Sequence, residues 1–112
     1  MDHNKIIGRQ GEEQAIRYLQ KHGFSIIQRN FRTQYGEIDI IAEKNEIIYY
    51  IEVKKRLNTH FGKPYEAINT KKLHRMIITA EVATNMLGII GEYKLLVIEI
   101  LKNTITVTEV EL

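Results

Sequence analysis

The 112 residues, 44% hydrophobic and 27% charged, make an ordinary globular composition, and a chain of this length folds as one domain, residues 1–112, around a single core. The absence of cysteine excludes disulfides, thiolate zinc sites and a cysteine nucleophile. A formal net charge of +2 is too small to announce nucleic-acid binding by itself. Met1-Asp2-His3-Asn4 lacks the start of a secretory signal and no apolar run reaches membrane-spanning length, so a cytoplasmic protein with no membrane association is the expectation.

Residues 8–22 carry Ala15, Ile16 and Leu19 at helical spacing, with Glu12 and Glu13 in the early turns and Gly23 as a stop, which predicts a helix. Glu12 sits one turn before Ile16 and can face a seam between this helix and a sheet, although the helix dipole also favours a carboxylate there. Residues 24–29 read as a first strand, from which Asn30 to Gly36 lead onward. Two β-branched runs follow, residues 36–42 and 47–54, joined by Glu43-Lys44-Asn45-Glu46. They predict an antiparallel hairpin with charges where a core strand carries none. Arg29 and Arg32 bring cations close to these acids, either for phosphate or to pair with Glu37.

The segment from Arg56 to Tyr65 holds the one proline and reads as a loop, with His60 as a candidate base or ligand that has no spaced partner. A second helix, from Glu66 or Asn69 to about Leu87, presents Leu73, Met76, Ile77, Ala80, Ala83 and Leu87 as its core stripe. Residues 93–101 read as a core strand and residues 104–110 as a strand exposed on one side, with no chemistry expected beyond Gly91. Helix, three strands, helix and two strands predict an α/β fold, a mixed sheet with a central antiparallel hairpin and flanking helices.

Side chains alternate across a strand, so the hairpin loop decides whether the charges meet. An even loop, with Asp39 opposite either Tyr50 or Glu52, gathers Asp39, Glu52 and Lys54 on one face. Two carboxylates on a partly buried face are costly unless neutralised, and carboxylate oxygens suit Mg²⁺ or Mn²⁺. In that reading Asp39, Glu52 and the carbonyl of Val53 hold the metal, while Lys54 orients or deprotonates a water. A cross-strand salt bridge between Lys54 and either acid is the plainer account of the same spacing. Positive charge also concentrates here: Lys54, Lys55, Arg56, Lys63, Lys71, Lys72 and Arg75 stand against Glu66 alone between residues 54 and 75. Such a strip suits a phosphate backbone, or is simply a solvated charged face.

Asp39 and Glu52-Val53-Lys54, preceded by a helical Glu12, resemble the motif of the PD-(D/E)xK restriction-endonuclease-like superfamily. More closely, Gly8-x-x-Gly11-Glu12, Ala15, Leu19, Gly23, Arg29-Asn30, Gly36-Glu37-Ile38-Asp39-Ile40-Ile41-Ala42, Glu52-Val53-Lys54-Lys55-Arg56 and Lys72 resemble the YraN-like family of uncharacterised bacterial proteins, from about Gly8 to Ala80. The chain is more distantly similar to archaeal Holliday-junction resolvases. The resemblance implies a restriction-endonuclease-like fold with Asp39 and Glu52 as metal ligands, and with Lys54 and Glu12 as catalytic residues. It further implies a Mg²⁺-dependent nuclease on DNA, branched DNA included; the basic strip, read from charge alone, puts Lys55, Arg56, Lys63, Lys71, Lys72 and Arg75 on the nucleic acid. A homodimer would let a small single-site subunit cut two strands. The alternative is a non-catalytic nucleic-acid-binding module of the same fold. Ile38 replaces the proline that names the motif, and Glu92-Tyr93-Lys94 stands where the family tends to carry Arg-Phe-Asp.

Overall fold

The computed structural model describes residues 3–56 and 70–111, with the side chains of residues 3–5 left out. His60 and Lys63 lie outside the described residues. The helix α1, His3–Lys21, precedes three strands, β1 Ser25–Thr33, β2 Gly36–Lys44 and β3 Ile47–Arg56; a second helix, α2 Thr70–Met86, leads to β4 Tyr93–Leu101 and β5 Thr104–Val110. All five strands form one sheet in sequence order, antiparallel except for the parallel pair β3 and β4. The chain therefore meanders on either side of one crossover, and α2 lies in that crossover. The expected mixed α/β sheet with its central hairpin is present.

Both faces of the sheet are covered. Ala15, Ile16 and Leu19 of α1 pack on Ile40, Ala42, Ile51, Leu96, Ile98 and Ile100, whereas Ala80 and Ala83 of α2 pack on Ile41, Ile48, Tyr50 and Leu95. Consecutive residues such as Ile40 and Ile41 serve opposite layers and both are fully buried, which is why the central strands read as apolar runs. The α2 stripe differs from expectation at two points. Leu87, past the end of the helix, is exposed, and Thr79 is buried. Its hydroxyl donates back to the Arg75 carbonyl at 2.7 Å, which satisfies the polar atom inside the helix and admits it to the core. The tyrosine hydroxyl of Tyr50 is likewise matched to Thr84 at 2.7 Å.

The hairpin connection is tighter than the four residues expected, since the β2–β3 ladder runs to Lys44↔Ile47. Only Asn45 and Glu46 turn the chain, both left-handed, with φ of 52° and 66°. This is a two-residue turn with positive φ at both positions, matched to the twist of the flanking strands. Asparagine tolerates that conformation and glutamate does not favour it. Glu46→Gly is therefore expected to stabilise the protein by about 0.5–1 kcal/mol, read as an increase in the urea midpoint without a change in the slope.

Candidate metal and phosphate site at the sheet fork

The β2–β3 ladder ends at Ile40↔Ile51. Beyond that point β2 stays with β1 through Ile38, Glu37 and Gly36, while β3 stays with β4 as far as Arg56↔Leu101. The sheet forks, and the first residues past the last rung are Asp39 and Glu52. The even loop places them opposite one another. Asp39 Oδ2 accepts a hydrogen bond from the Val53 N–H at 2.8 Å, so a side chain takes the place that a strand carbonyl would hold. The Val53 carbonyl leaves β3 on the same edge as that N–H and therefore also faces the fork.

The fork opens into a cleft of about 230 Å³ lined by Gly36, Glu37, Asp39, Glu52, Lys72, Arg75, Met76 and Thr79. Its far wall is α2, which lies close because residue 36 has no side chain: a Cβ there would stand 2.8 Å from Thr79 Oγ1. Lys72 Nζ reaches across to Glu52 Oε1 at 3.0 Å and hydrogen-bonds Lys54. A larger hollow of about 630 Å³ lies against α1, lined by Arg9, Gln14, Arg17 and Lys55 among others. It contains neither Asp39 nor Glu52, so the smaller cleft is the one with chemistry to offer.

Charge inside the cleft is finely set. Burial pushes the Asp39 carboxyl up to about 7 against the pull of the Val53 N–H, and the charges of Glu52, Glu12 and Glu37 push the same way. The hydrogen bond from Lys72, together with burial and the Lys72 charge, holds Lys54 below the usual lysine range. Burial would lower Lys72 as well, but its bonds to Lys54 and Glu52 raise it. Of the two, Lys72 therefore holds its proton the more tightly and Lys54 gives its proton up the more readily.

Glu12 reaches this region from α1. With its nitrogen turned toward the acids, the Asn30 amide donates to Glu12 Oε1 at 3.2 Å and Glu37 Oε1 at 3.1 Å, and Asn30 sits at a left-handed φ of 52° that asparagine accepts more readily than most residues. Arg29 lies 2.7 Å from Glu13 and 3.7 Å from Glu12, while Arg32 lies 3.8 Å from Glu37. These arginines pair with acids on the flank of the site.

The basic strip does not stay together. Strand alternation sends Lys54 and Arg56 toward α2 but Lys55 toward α1, where its ammonium meets Gln14 Oε1 at 2.6 Å. Lys72 and Arg75 line the cleft and Lys71 is exposed on α2. Beyond Gly91, where no chemistry is expected, one acid is buried in the core. Glu99, on β4 in register with Lys54, is only 3% exposed. Burial raises its carboxyl against the lowering influence of Arg56, Lys54 and Lys72. Arg56 Nε stands 3.4 Å from Oε2, yet among the described residues neither oxygen has a hydrogen-bond partner. A lone acid inside Leu95-Leu96-Val97-Ile98-Glu99-Ile100 was the available signal, since unpaired charge inside a core strand demands a reason.

Among the described residues no three His, Asp or Glu side chains gather into a ready-made metal cage. Asp39 and Glu52 nevertheless suit a hard divalent ion. Mg²⁺ commonly takes one or two carboxylates and keeps several waters, and the Val53 carbonyl adds an oxygen on the correct edge. The Lys72 ammonium on Glu52 marks the place as favourable to a cation.

A five-stranded mixed sheet between two helices, with acids at the fork of its central hairpin, defines a restriction-endonuclease-like α/β domain. The profile of Uncharacterised protein family UPF0102 matches residues 11–100, and the chain belongs to that family, the YraN-like bacterial family. A UPF0102 protein of Syntrophomonas wolfei is 47% identical over 70 residues, spanning 62% of this chain and 61% of its own length. Another from Persephonella marina is 46% identical over 76 residues, 68% of this chain and 66% of its own. One from Clostridium perfringens is 48% identical over 79 residues, 70% of this chain and 65% of its own. The chain thus spans a little under two thirds of the length of these relatives. Among the described residues no helix is long and apolar enough to cross a membrane.

Proposed function

We propose that this protein is a divalent-metal-dependent phosphodiesterase acting on DNA. The observation that carries the reading is the sheet fork, which sets Asp39 and Glu52 side by side in a cleft whose other wall is cationic. When bound, Mg²⁺ or Mn²⁺ would supply a more acidic water and offset charge on the attacked phosphate. Asp39 and Glu52, with the Val53 carbonyl, are the residues that would hold it. The Val53 N–H holds Oδ2 of Asp39, a residue of the cleft lining, which leaves Oδ1 for the ion. Lys54, kept below the usual lysine range by Lys72, orients the attacking water and takes its proton. Lys72 and Arg75 offer positive charge to the phosphate from α2, and Glu12, tied by Asn30 to Glu37, borders the site from α1.

The test is to incubate linear, nicked and branched DNA with the purified protein and Mg²⁺ or Mn²⁺, beside Asp39→Ala, Glu52→Ala and Lys54→Ala. Each variant is expected to lose about 10²–10⁴-fold in cleavage rate. Cleavage undiminished in all three would remove the fork from the chemistry.

The Lys72–Glu52 contact at 3.0 Å favours one second reading, a DNA-binding module without turnover in which that ion pair is permanent. It predicts no cleavage by the wild type, together with salt-sensitive binding that depends on Lys71, Lys72 and Arg75 more than on the acids.

A further inference from the structure

Two lysines stand between two acidic poles. On one side, Glu52 bonds the Lys72 ammonium at 3.0 Å and Asp39 lies across the fork. On the other, Glu99 is buried in β4 in register with Lys54; Arg56 Nε stands 3.4 Å from its Oε2, yet neither oxygen has a hydrogen-bond partner among the described residues. A buried carboxylate left in that condition is costly in the state observed, and such a cost is expected where another state relieves it. Glu99, ion-paired to Arg56 but without a hydrogen bond, and Glu52, hydrogen-bonded by Lys72, feel the same two lysines, since the charges of Lys54 and Lys72 act on both acids.

We infer that the site is a cation exchanger: Lys72 is the built-in occupant of Glu52, a divalent ion displaces it, and Glu99 receives the positive charge that is displaced. This deepens the metal reading proposed above and rests on it. The exchange needs no backbone movement, because a lysine side chain has four rotatable carbons and α2 already holds Lys72 at the cleft wall. A divalent ion brings two positive charges to Asp39 and Glu52, so the Lys72 ammonium on Glu52 is repelled outward. Glu99, in register with Lys54 on the neighbouring strand, is the buried acid on the side away from Asp39. The device sets a threshold: metal must outcompete an ammonium already in place, and the lysine freed by the exchange is the one that lines the phosphate side of the cleft. Loading and substrate binding are thereby linked through one side chain.

Mn²⁺ binding, followed by the electron paramagnetic resonance of the free ion and by calorimetry without DNA, tests the exchange without any activity measurement. Lys72→Met removes the competitor and is expected to tighten Mn²⁺ about tenfold, the scale of one charge-assisted hydrogen bond. Glu99→Gln keeps the volume, removes the receiving charge and is expected to weaken Mn²⁺ about fivefold, with less than a twofold effect in the Lys72→Met background. Lys72→Met that binds Mn²⁺ no tighter than the wild type overturns the exchange while leaving the metal site standing. Equal effects of Glu99→Gln in both backgrounds overturn the role of Glu99. Absence of Mn²⁺ binding in the wild type and in Lys72→Met alike overturns the metal reading and the exchange together. Lys72 is part-exposed, so that variant decides the central claim even if Glu99→Gln fails to fold.

Discussion

Asp39→Asn is expected to make the protein more stable at pH 8 and no more stable at pH 4, while abolishing the proposed DNA cleavage. The Asp39 carboxyl titrates near 7 in the folded protein against 3.8 in the unfolded chain, with burial as the main cause. Between those values the native state binds the proton more tightly, so stability falls as the pH rises through the window. Above about 7 the whole cost of the charged form is present, and below 3.8 it is absent. Three units correspond to about 4 kcal/mol at most; partial exposure of the group and its neighbours reduces this to about 2 kcal/mol. For a domain of this size that is about 10 °C in the melting temperature at pH 8. The neutral amide keeps an oxygen for the Val53 N–H. Thermal unfolding at the two pH values, with and without Mg²⁺, checks the prediction, and Mg²⁺ is expected to raise the melting temperature of the wild type alone. A variant less stable than wild type at pH 8 would mean that the carboxylate is a structural anchor and no burden to the fold.

Gly11→Ala carries the second large effect, and its sign is opposite to helix propensity. Residue 11 lies inside α1, where alanine is intrinsically better than glycine by about 1 kcal/mol. A Cβ there would stand 2.9 Å from Lys55 Cβ and 3.7 Å from Val53 Cγ1. Lys55 Cβ is fixed by the β3 backbone and cannot swing away. The helix must lift, and overpacking of this kind costs about 1–3 kcal/mol. The net expectation is a loss of up to about 2 kcal/mol in urea unfolding, with the proposed cleavage reduced because the next residue is Glu12. Gly8→Ala, where a Cβ meets nothing within 4 Å, is the matched control and should be neutral or stabilising.

The hairpin and its consequences were legible in the sequence because the strand period is strict. Alternating apolar and charged residues, an even connection and two β-branched runs together require Asp39 and Glu52 to share a face, and the register places them opposite one another. The same period, applied to residues 54–56, separates Lys55 from Lys54 and Arg56, a division that charge summed along the chain does not reveal. Lys72 was assigned to nucleic acid, and its contact with Glu52 depends on how α2 lies over the fork, a long-range matter no local pattern encodes. Asn30 was read only as part of a connecting stretch. Its left-handed backbone and its place between Glu12 and Glu37 follow from the packing of α1 beside β1. Glu99 is legible as an exception: it lies in a run of six buried residues, where burial on both faces leaves little room for an incidental charge.

The fork also makes part of this site invisible to side-chain mutagenesis. The group that steers Asp39 is the amide of Val53, and every ordinary substitution at residue 53 retains it. An alanine scan would therefore score position 53 by its packing against Gly11 and report nothing of its polar role. Only altering the main chain itself, by proline at 53 or by exchanging that amide for an ester, exposes a contribution written into the peptide backbone and available to any sequence that splits its strands at this rung.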